Sequence, residues 1–266
     1  MNATPVLLET RSLQLSIGDK LICRDLNLCV KRGERWGVLG VNGVGKTTLL
    51  LTLAGLKTPQ AGSVSLAGQA LQALSARQIA QICGVMLQDS DDAFPASVLE
   101  IALIGRHPHL PLWAWESVED ETIAHAALQA VGIADLVQRA SNTLSGGERR
   151  RLALATLLTQ NPPLMLLDEP VNHLDLHHQI QVLDLLTQQV AQLSKASVMV
   201  LHDVNLAARY CDALLLLFGQ GETLHGPTPD MLTVENLSRL YGHPVRRIET
   251  ADGYLFYPGT VVAKSS

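Results

Sequence analysis

The stretch Gly40-Val41-Asn42-Gly43-Val44-Gly45-Lys46-Thr47-Thr48 constrains the fold of this chain more than any other. It follows a short apolar run, Trp36 to Leu39, and leads into Leu49-Leu50-Leu51-Thr52-Leu53-Ala54. A buried strand, a glycine-rich turn and the start of a helix, in that order, are the setting in which a loop can wrap a phosphate. Glycines let the backbone curl with its N–H groups pointing inward, since no Cβ blocks those dihedrals. A helix beginning near Lys46 adds the positive end of its dipole. In such a loop Lys46 sets a charge against β- and γ-phosphates, and the Thr47 hydroxyl can ligate Mg²⁺. A glycine-rich turn that binds nothing is the alternative, and Lys46-Thr47 directly after the last glycine speaks against it. The expected ligand is a nucleoside triphosphate.

The rest of the chain supplies a sheet for such a loop. Its 266 residues suit one large domain or two small ones, and at 47% hydrophobic and 17% charged residues it can bury a core. Residues 6 to 30 alternate apolar and polar around Gly18-Asp19, which predicts antiparallel strands near a sheet edge. Ser63 to Leu66 reads as another short strand, Leu71 to Gln81 as a helical segment, and Ile82 to Leu87 as a strand. From Asp89 to about Gln160 the patterning turns helical, with helices over Ser97 to Gly105 and Val118 to Val131 and an exposed loop over His107 to Trp115. That stretch is expected to be a helical subdomain inserted into an α/β core. The core resumes with Leu164-Met165-Leu166-Leu167, an unbroken apolar run suited to a buried parallel strand. A helix (His177 to Gln192), a strand (Ser197 to Leu201), a helix from about Val204 and a strand (Ala213 to Phe218) follow. This alternation predicts a mainly parallel sheet covered on both faces, with ligands at the carboxyl ends of its strands. Gly242 to Ser266 carries alternating apolar residues and Asp252-Gly253, the pattern of a small surface hairpin.

Several function classes are disfavoured. A net charge of -5 argues against a nucleic-acid binder that relies on bulk electrostatics. No apolar run approaches the roughly 20 residues that span a bilayer. Met1 to Glu9 lacks the basic and long apolar regions of a secretory signal. Cys23, Cys29, Cys83 and Cys211 are scattered without metal or redox spacing and are expected to be reduced, mostly buried thiols. A soluble cytosolic protein is the expectation.

Two further stretches carry chemistry. Asp168-Glu169 closes the strand Leu164 to Leu167, where Asp168 can hold Mg²⁺ and Glu169 can face a water attacking the γ-phosphate. An acidic cap on the next helix is the alternative for the pair alone; the phosphate loop upstream decides against it. In Leu144-Ser145-Gly146-Gly147-Glu148, Ser145 can cap a helix whose N-terminus the two glycines leave open to an anion. The following Arg149-Arg150-Arg151 is expected to be a solvated or salt-bridged helix face rather than a nucleic-acid patch. His173 and His177 are spaced i, i+4 beside His178, but a metal site there lacks a third ligand of convincing spacing.

Gly40 to Thr48, Gln88, Leu144 to Glu148, Leu164 to Glu169, Asn172 to Asp175 and His202, in this order over roughly residues 6 to 242, resemble the ATPase subunit of an ABC transporter. The resemblance implies a P-loop NTPase of the ABC ATPase type, α/β, with a mainly parallel sheet core, an antiparallel edge sheet and the helical subdomain inserted over about 89–160. Residues 243–266 are left as a C-terminal extension. It implies ATP and Mg²⁺ as ligands: Gly40, Val41, Asn42, Gly43, Val44, Gly45, Lys46, Thr47 and Thr48 cradle the nucleotide, and Thr47, Gln88 and Asp168 meet the metal. Glu169, Gln88 and His202 are the implied catalytic residues, His202 by a hydrogen bond to the γ-phosphate. Two copies are implied to face head to tail, so that Ser145, Gly146 and Gly147 of one close on the ATP of the other, with Asp175 communicating between the sites. Ile17 stands where an aromatic residue usually stacks on adenine, Val171 replaces a threonine, and Thr156 replaces an arginine.

A single ATPase unit without a fused membrane domain favours an importer built from separate subunits. Gly105-Arg106-His107-Pro108-His109 and Asn172-His173-Leu174-Asp175 resemble the subfamily that serves ferric siderophores, haem and cobalamin. The resemblance implies two transmembrane permease subunits and, through them, a periplasmic or extracellular substrate-binding protein, with the chain peripheral on the cytoplasmic face of the inner membrane. Import of another substrate such as a free metal ion, or a non-transport regulatory ATPase, are the alternatives. A translation-factor type is disfavoured by the single motif set, and a chromosome-repair type by the lack of sustained heptads between 89 and 143.

Overall fold

The computed structural model describes residues 4–88, 96–111, 113–251 and 253–260. The Gly18-Asp19 turn joins β1 (Val6–Ile17) to β2 (Lys20–Leu26), with Ile17 opposite Lys20. The short β3 (Cys29–Lys31) also pairs antiparallel with β1. β4 (Arg35–Gly40) then enters a different sheet, and the chain returns to β1 with β5 (Ala61–Leu66) and β6 (Gln69–Ala70). The second sheet adds β7 (Cys83–Met86), β8 (Leu164–Asp168), β9 (Ala196–Val200), β10 (Ala213–Gly219) and β11 (Glu222–Pro227) to β4. Its spatial order is β11-β10-β4-β9-β8-β7, parallel from β10 to β7 and antiparallel only at β11. The expected parallel core with an antiparallel edge sheet is therefore present.

The apolar run Leu164 to Leu167 shows why the parallel sheet reads as continuous hydrophobicity. Successive side chains of a strand point to opposite faces. Leu164 and Leu166 enter one buried cluster, with Leu49, Leu50 and Leu53 of the helix α1 (Lys46–Leu53). Met165 and Leu167 enter the other, with Leu128, Leu154 and Leu183. Both faces are covered, so neither can be polar.

The remaining helices are α2 (Ala76–Ile82), α3 (Val98–Leu103), α4 (Val118–Ala130), α5 (Gly146–Gln160), α6 (Leu176–Leu193), α7 (Val204–Tyr210), α8 (Thr228–Met231) and α9 (Val234–Tyr241). Four of them start with one local device. Ser75, Ser97, Ser117 and Ser145 each cap the N-terminus, answered three residues later by Gln78, Glu100, Asp120 and Glu148. The box at Ser75 also divides the expected helix over Leu71 to Gln81 into a short 3₁₀ turn and α2.

The expected exposed loop, His107 to Trp115, is exposed at His107, Pro111 and Trp113 to Trp115, but Pro108 and His109, with Gly105 and Arg106 before them, form a mount. A Cβ on Gly105 would sit 2.3 Å from the Thr156 carbonyl oxygen, so only glycine allows this approach to α5. Arg106 Nε donates to Asp120 Oδ1 at 2.8 Å, and its Nη1 to the Thr159 carbonyl at 3.2 Å. His109 Nε2 bonds the Gln160 carbonyl at 2.8 Å, while the Pro108 carbonyl accepts from Arg77 and Gln81. Hydrogen bonds from Ser117 and then from Arg106 hold the Asp120 carboxyl down at about 2. Beyond this clip Trp113 and Trp115 stand furthest into solvent, 98% and 89% exposed.

The C-terminal extension forms the expected hairpin, β12 (Val245–Thr250) and β13 (Gly253–Pro258), with Thr250 opposite Gly253. Asp252 lies outside the described residues. The hairpin docks on α7 through Asn205, which exchanges two hydrogen bonds with the Phe256 backbone, at 2.8 and 3.2 Å. Cys23, Cys83 and Cys211 are buried, and Cys29 is exposed. Burial pushes the Cys83 and Cys211 thiols up to about 12, which leaves them unreactive.

Candidate functional site

β4 delivers the chain to the carboxyl edge of the parallel sheet, where the glycine loop turns back into α1. Two glycines are demanded by space. A Cβ on Gly40 would lie 3.0 Å from the Leu217 carbonyl oxygen. Gly45, the residue before α1, has φ 114° and its Cβ would strike Ile22 at 2.5 Å. Val44 is buried in the core and pins the loop from below, while Val41, Asn42 and Gly43 are exposed. Lys46 is 6% exposed, and its Nζ donates to the Gly40 carbonyl at 2.8 Å and the Val41 carbonyl at 3.2 Å. Burial pushes its ammonium below the usual lysine range. Lys20 braces the loop from outside, donating to the Gly43 carbonyl at 2.6 Å.

The acidic pair ends β8, two strands away. Asp168 is fully buried and accepts from the Thr47 hydroxyl through Oδ2 at 2.5 Å. Burial pushes its carboxyl up, helped by the Glu169 charge. Its second oxygen, Oδ1, has no hydrogen-bond partner among the described residues. Glu169 adopts a left-handed φ of 53°, uncommon for a residue with a side chain. Its carboxylate is gripped at both oxygens: Asn172 Nδ2 donates to Oε2 at 2.8 Å, and His202 Nε2 bonds Oε1.

Ile17, Asn42, Gly43, Gly45, Lys46, Thr47, Thr48, Gln88, Glu169, Asn172 and His202 line one open cleft of about 650 Å³. Gly40, Val41 and Val44 shape the loop beneath it, and Asp168 meets it through Thr47. Ile17 is 46% exposed at the rim.

Ser145, Gly146, Gly147 and Asp175 do not line that cleft. Ser145 caps α5, donating its N–H to Glu148 Oε2 at 2.6 Å and accepting from the Glu148 N–H. The N-terminus expected to be bare thus carries its own carboxylate, which Arg139 approaches at 3.4 Å. Ser145 and Gly146 remain exposed. A Cβ on Gly147 would lie 3.3 Å from Leu174, so this turn abuts the turn that ends in Asp175. Asp175 caps α6, and His178 bonds its carboxylate from backbone and ring, which pulls the carboxyl down.

The arginine run departs from expectation. Arg149 is exposed and Arg151 reaches the Gly132 carbonyl at 3.0 Å, but Arg150 is only 7% exposed. Its guanidinium donates to the carbonyls of Leu87, Gln88, Asp168 and Glu169. Helical spacing carried that signal, since Arg150, Leu154, Leu157 and Leu158 fall on one face at i, i+4, i+7 and i+8. Asn172 was legible only as part of a turn, and Lys20 gave no signal in the sequence.

A glycine loop closed by a buried lysine, facing a buried aspartate and a fixed glutamate at the ends of parallel strands, is the architecture of a P-loop nucleoside triphosphatase. The family model "ABC transporter" matches residues 23–172. Ferric enterobactin transport ATP-binding protein FepC of Escherichia coli (strain K12) is 35% identical over 242 residues, 91% of this chain and 89% of that protein. Hemin import ATP-binding protein HmuV of Burkholderia ambifaria is 36% identical over 265 residues, 93% and 97% of the two chains. Among solved structures, a transporter assigned to the metal-chelate ABC type, in an inward-facing conformation, superposes with TM-score 0.84 at 29% identity. It covers 96% of this chain and 98% of its own. The chain belongs to the ABC transporter family, as one of its ATP-binding, ATP-hydrolysing members.

Proposed function

We propose that this chain is the ATPase subunit of an importer for a metal chelate, a ferric siderophore, haem or cobalamin, and that two copies share each ATP. The observation that carries the shared site is the separation of its halves. Lys46, Thr47, Gln88 and Glu169 line one cleft, while Ser145 and Gly146 stand exposed outside it. A dimeric bacterial ABC transporter cassette, 25% identical with TM-score 0.71 over 79% of this chain and 94% of its own, supports pairing of such units.

In this reading the backbone of Gly40 to Thr48 and the Lys46 ammonium hold the triphosphate, with Asn42 at the loop's exposed crest. The Thr47 hydroxyl, Asp168 and Gln88 hold Mg²⁺. The donor set fits: the Thr47 hydroxyl and the Asp168 carboxylate meet at 2.5 Å beside the cleft that Gln88 lines, and Asp168 Oδ1 is buried with no hydrogen-bond partner among the described residues. When bound with nucleotide, Mg²⁺ supplies charge neutralisation on phosphate oxygens. Glu169, held by Asn172, orients the attacking water, and positioning rather than basicity is what phosphoryl transfer asks of it. His202 turns from Glu169 to the γ-phosphate once nucleotide is present. Ser145, Gly146 and Gly147 of the second copy close over the phosphates, and Asp175 lies at the turn beside them.

Among the described residues no helix is long and apolar enough to cross a membrane. The proposed partners are two transmembrane permeases, reached from the cytoplasmic face, and a substrate-binding protein beyond them. FepC and HmuV carry enterobactin and hemin in their names, which supports the chelate class. Gly105 to His109 gives no independent support, since its packing accounts for it. Tagged full chain purified from native membranes is expected to bring integral membrane subunits with it and to sustain ATP-dependent chelate uptake in vesicles. Recovery with no membrane protein would favour a non-transport ATPase.

A further inference from the structure

We propose that Arg150 is a positioning residue for hydrolysis, one that sets the backbones of Gln88 and Glu169 in its own chain. The inference rests on the reading that Glu169 and Gln88 serve the reaction. Arg150 lies on α5, and its planar fork spans the carboxyl ends of two neighbouring parallel strands. Nη1 donates to the Leu87 carbonyl at 2.7 Å and to the Gln88 carbonyl at 2.9 Å, just past β7. Nη2 donates to the carbonyls of Asp168 and Glu169, at the end of β8.

Two of these carbonyls, those of Gln88 and Glu169, belong to residues that line the cleft. Glu169 holds a left-handed φ of 53°, a conformation that persists only where its surroundings over-determine it. Asn172 aims the carboxylate, while Arg150 fixes the peptide that carries it. The same guanidinium grips the backbone of Gln88, so one side chain sets the relative placement of both polar groups. α5 has anchors other than Arg150. Leu152, Leu154 and Leu158 bury its apolar stripe, and Gly105 packs against its backbone. Losing Arg150 therefore acts on the strand ends more than on Ser145 and Gly147. A lysine there presents three donors from one point and cannot serve both strands in the plane of a fork.

Two-tag purification of full-chain dimers with Arg150→Met in one copy tests this. Glu169→Gln in the other copy leaves turnover only at the site using the Arg150→Met chain's own Gln88 and Glu169. There kcat is expected to fall about a hundredfold, the cost of displacing a reacting group by about 1 Å, with KM for ATP unchanged. The reference is a dimer with Glu169→Gln alone in one copy. Moving Glu169→Gln into the Arg150→Met chain leaves only the opposite site, which takes that chain's Ser145 and Gly147; kcat there is expected to match the reference. Arg150→Lys, which keeps the charge, should recover part of the loss and serves in place of Arg150→Met should the latter not fold. Equal loss at both sites would make Arg150 a support of α5 and overturn the proposal, as would no loss at the first. Turnover by a Glu169→Gln homodimer would instead refute the role of Glu169, whatever Arg150 does.

Discussion

Asn172→Ala is expected to slow hydrolysis without weakening nucleotide binding. The Glu169 carboxylate has one fixed donor per oxygen, Asn172 Nδ2 at 2.8 Å and His202 Nε2. The amide is itself oriented, because Asn172 Oδ1 accepts from the His173 N–H at 3.1 Å. A hydrogen bond to a charged group contributes about 1.5–3 kcal/mol. If that contribution is lost mainly where Glu169 must hold the attacking water, kcat falls between about tenfold and a hundredfold. KM for ATP should not move, since Lys46 and Thr47 are untouched. Asn172→Asp is the sharper variant: it is isosteric but sets a second carboxylate against Glu169. Repulsion then favours protonation of one of the two, so the deficit at neutral pH exceeds that of Asn172→Ala and shrinks as pH falls. Steady-state ATPase kinetics on both variants, with ATP affinity measured separately, check this. An unchanged kcat for Asn172→Ala, or a fall matched by an equal loss of ATP affinity, would refute the reasoning.

Ile17, exposed at the cleft rim, offers an adenine no aromatic face, so GTP should be hydrolysed with kcat/KM close to that of ATP. Ile17→Tyr should lower KM for ATP by roughly threefold to tenfold, the worth of one aromatic stack; nucleotide-series kinetics read both. The Asp120 carboxyl, held at about 2 against an ordinary 3.8, stabilises the folded chain above pH 3.8, and that contribution is lost as pH falls towards 2. The Tm difference between wild type and Asp120→Asn should therefore be full above that window and vanish below it.

The order of elements was legible because strands buried on both faces and serine-capped helices announce themselves locally. Leu164 to Leu167 suits a buried strand, and Ser97, Ser117 and Ser145 mark helix starts that the patterning places, while the start at Ser75 is merged into a longer helix from Leu71. The cleft was legible for a different reason: its residues cluster in short motifs at strand ends. What escaped were contacts made across elements. Arg150 sits in a run of arginines that reads as solvated, and its burial depends on where β7 and β8 end. Lys20 reaches Gly43 only because β2 begins beside the loop. Gly105 to His109 resembles a subfamily signature, yet its geometry is that of a clip between α2, α4 and α5.

Mixing two inactive variants tests the shared site most directly. Lys46→Ala disables the loop of one copy, and Ser145→Arg blocks the exposed turn of another. Each homodimer should be inactive. A mixed dimer retains one site built from the intact loop of the Ser145→Arg chain and the intact turn of the Lys46→Ala chain, so ATPase activity should return on mixing. If each chain instead completes its own site, both chains in the mixture stay disabled, and activity at background would contradict the two-copy site.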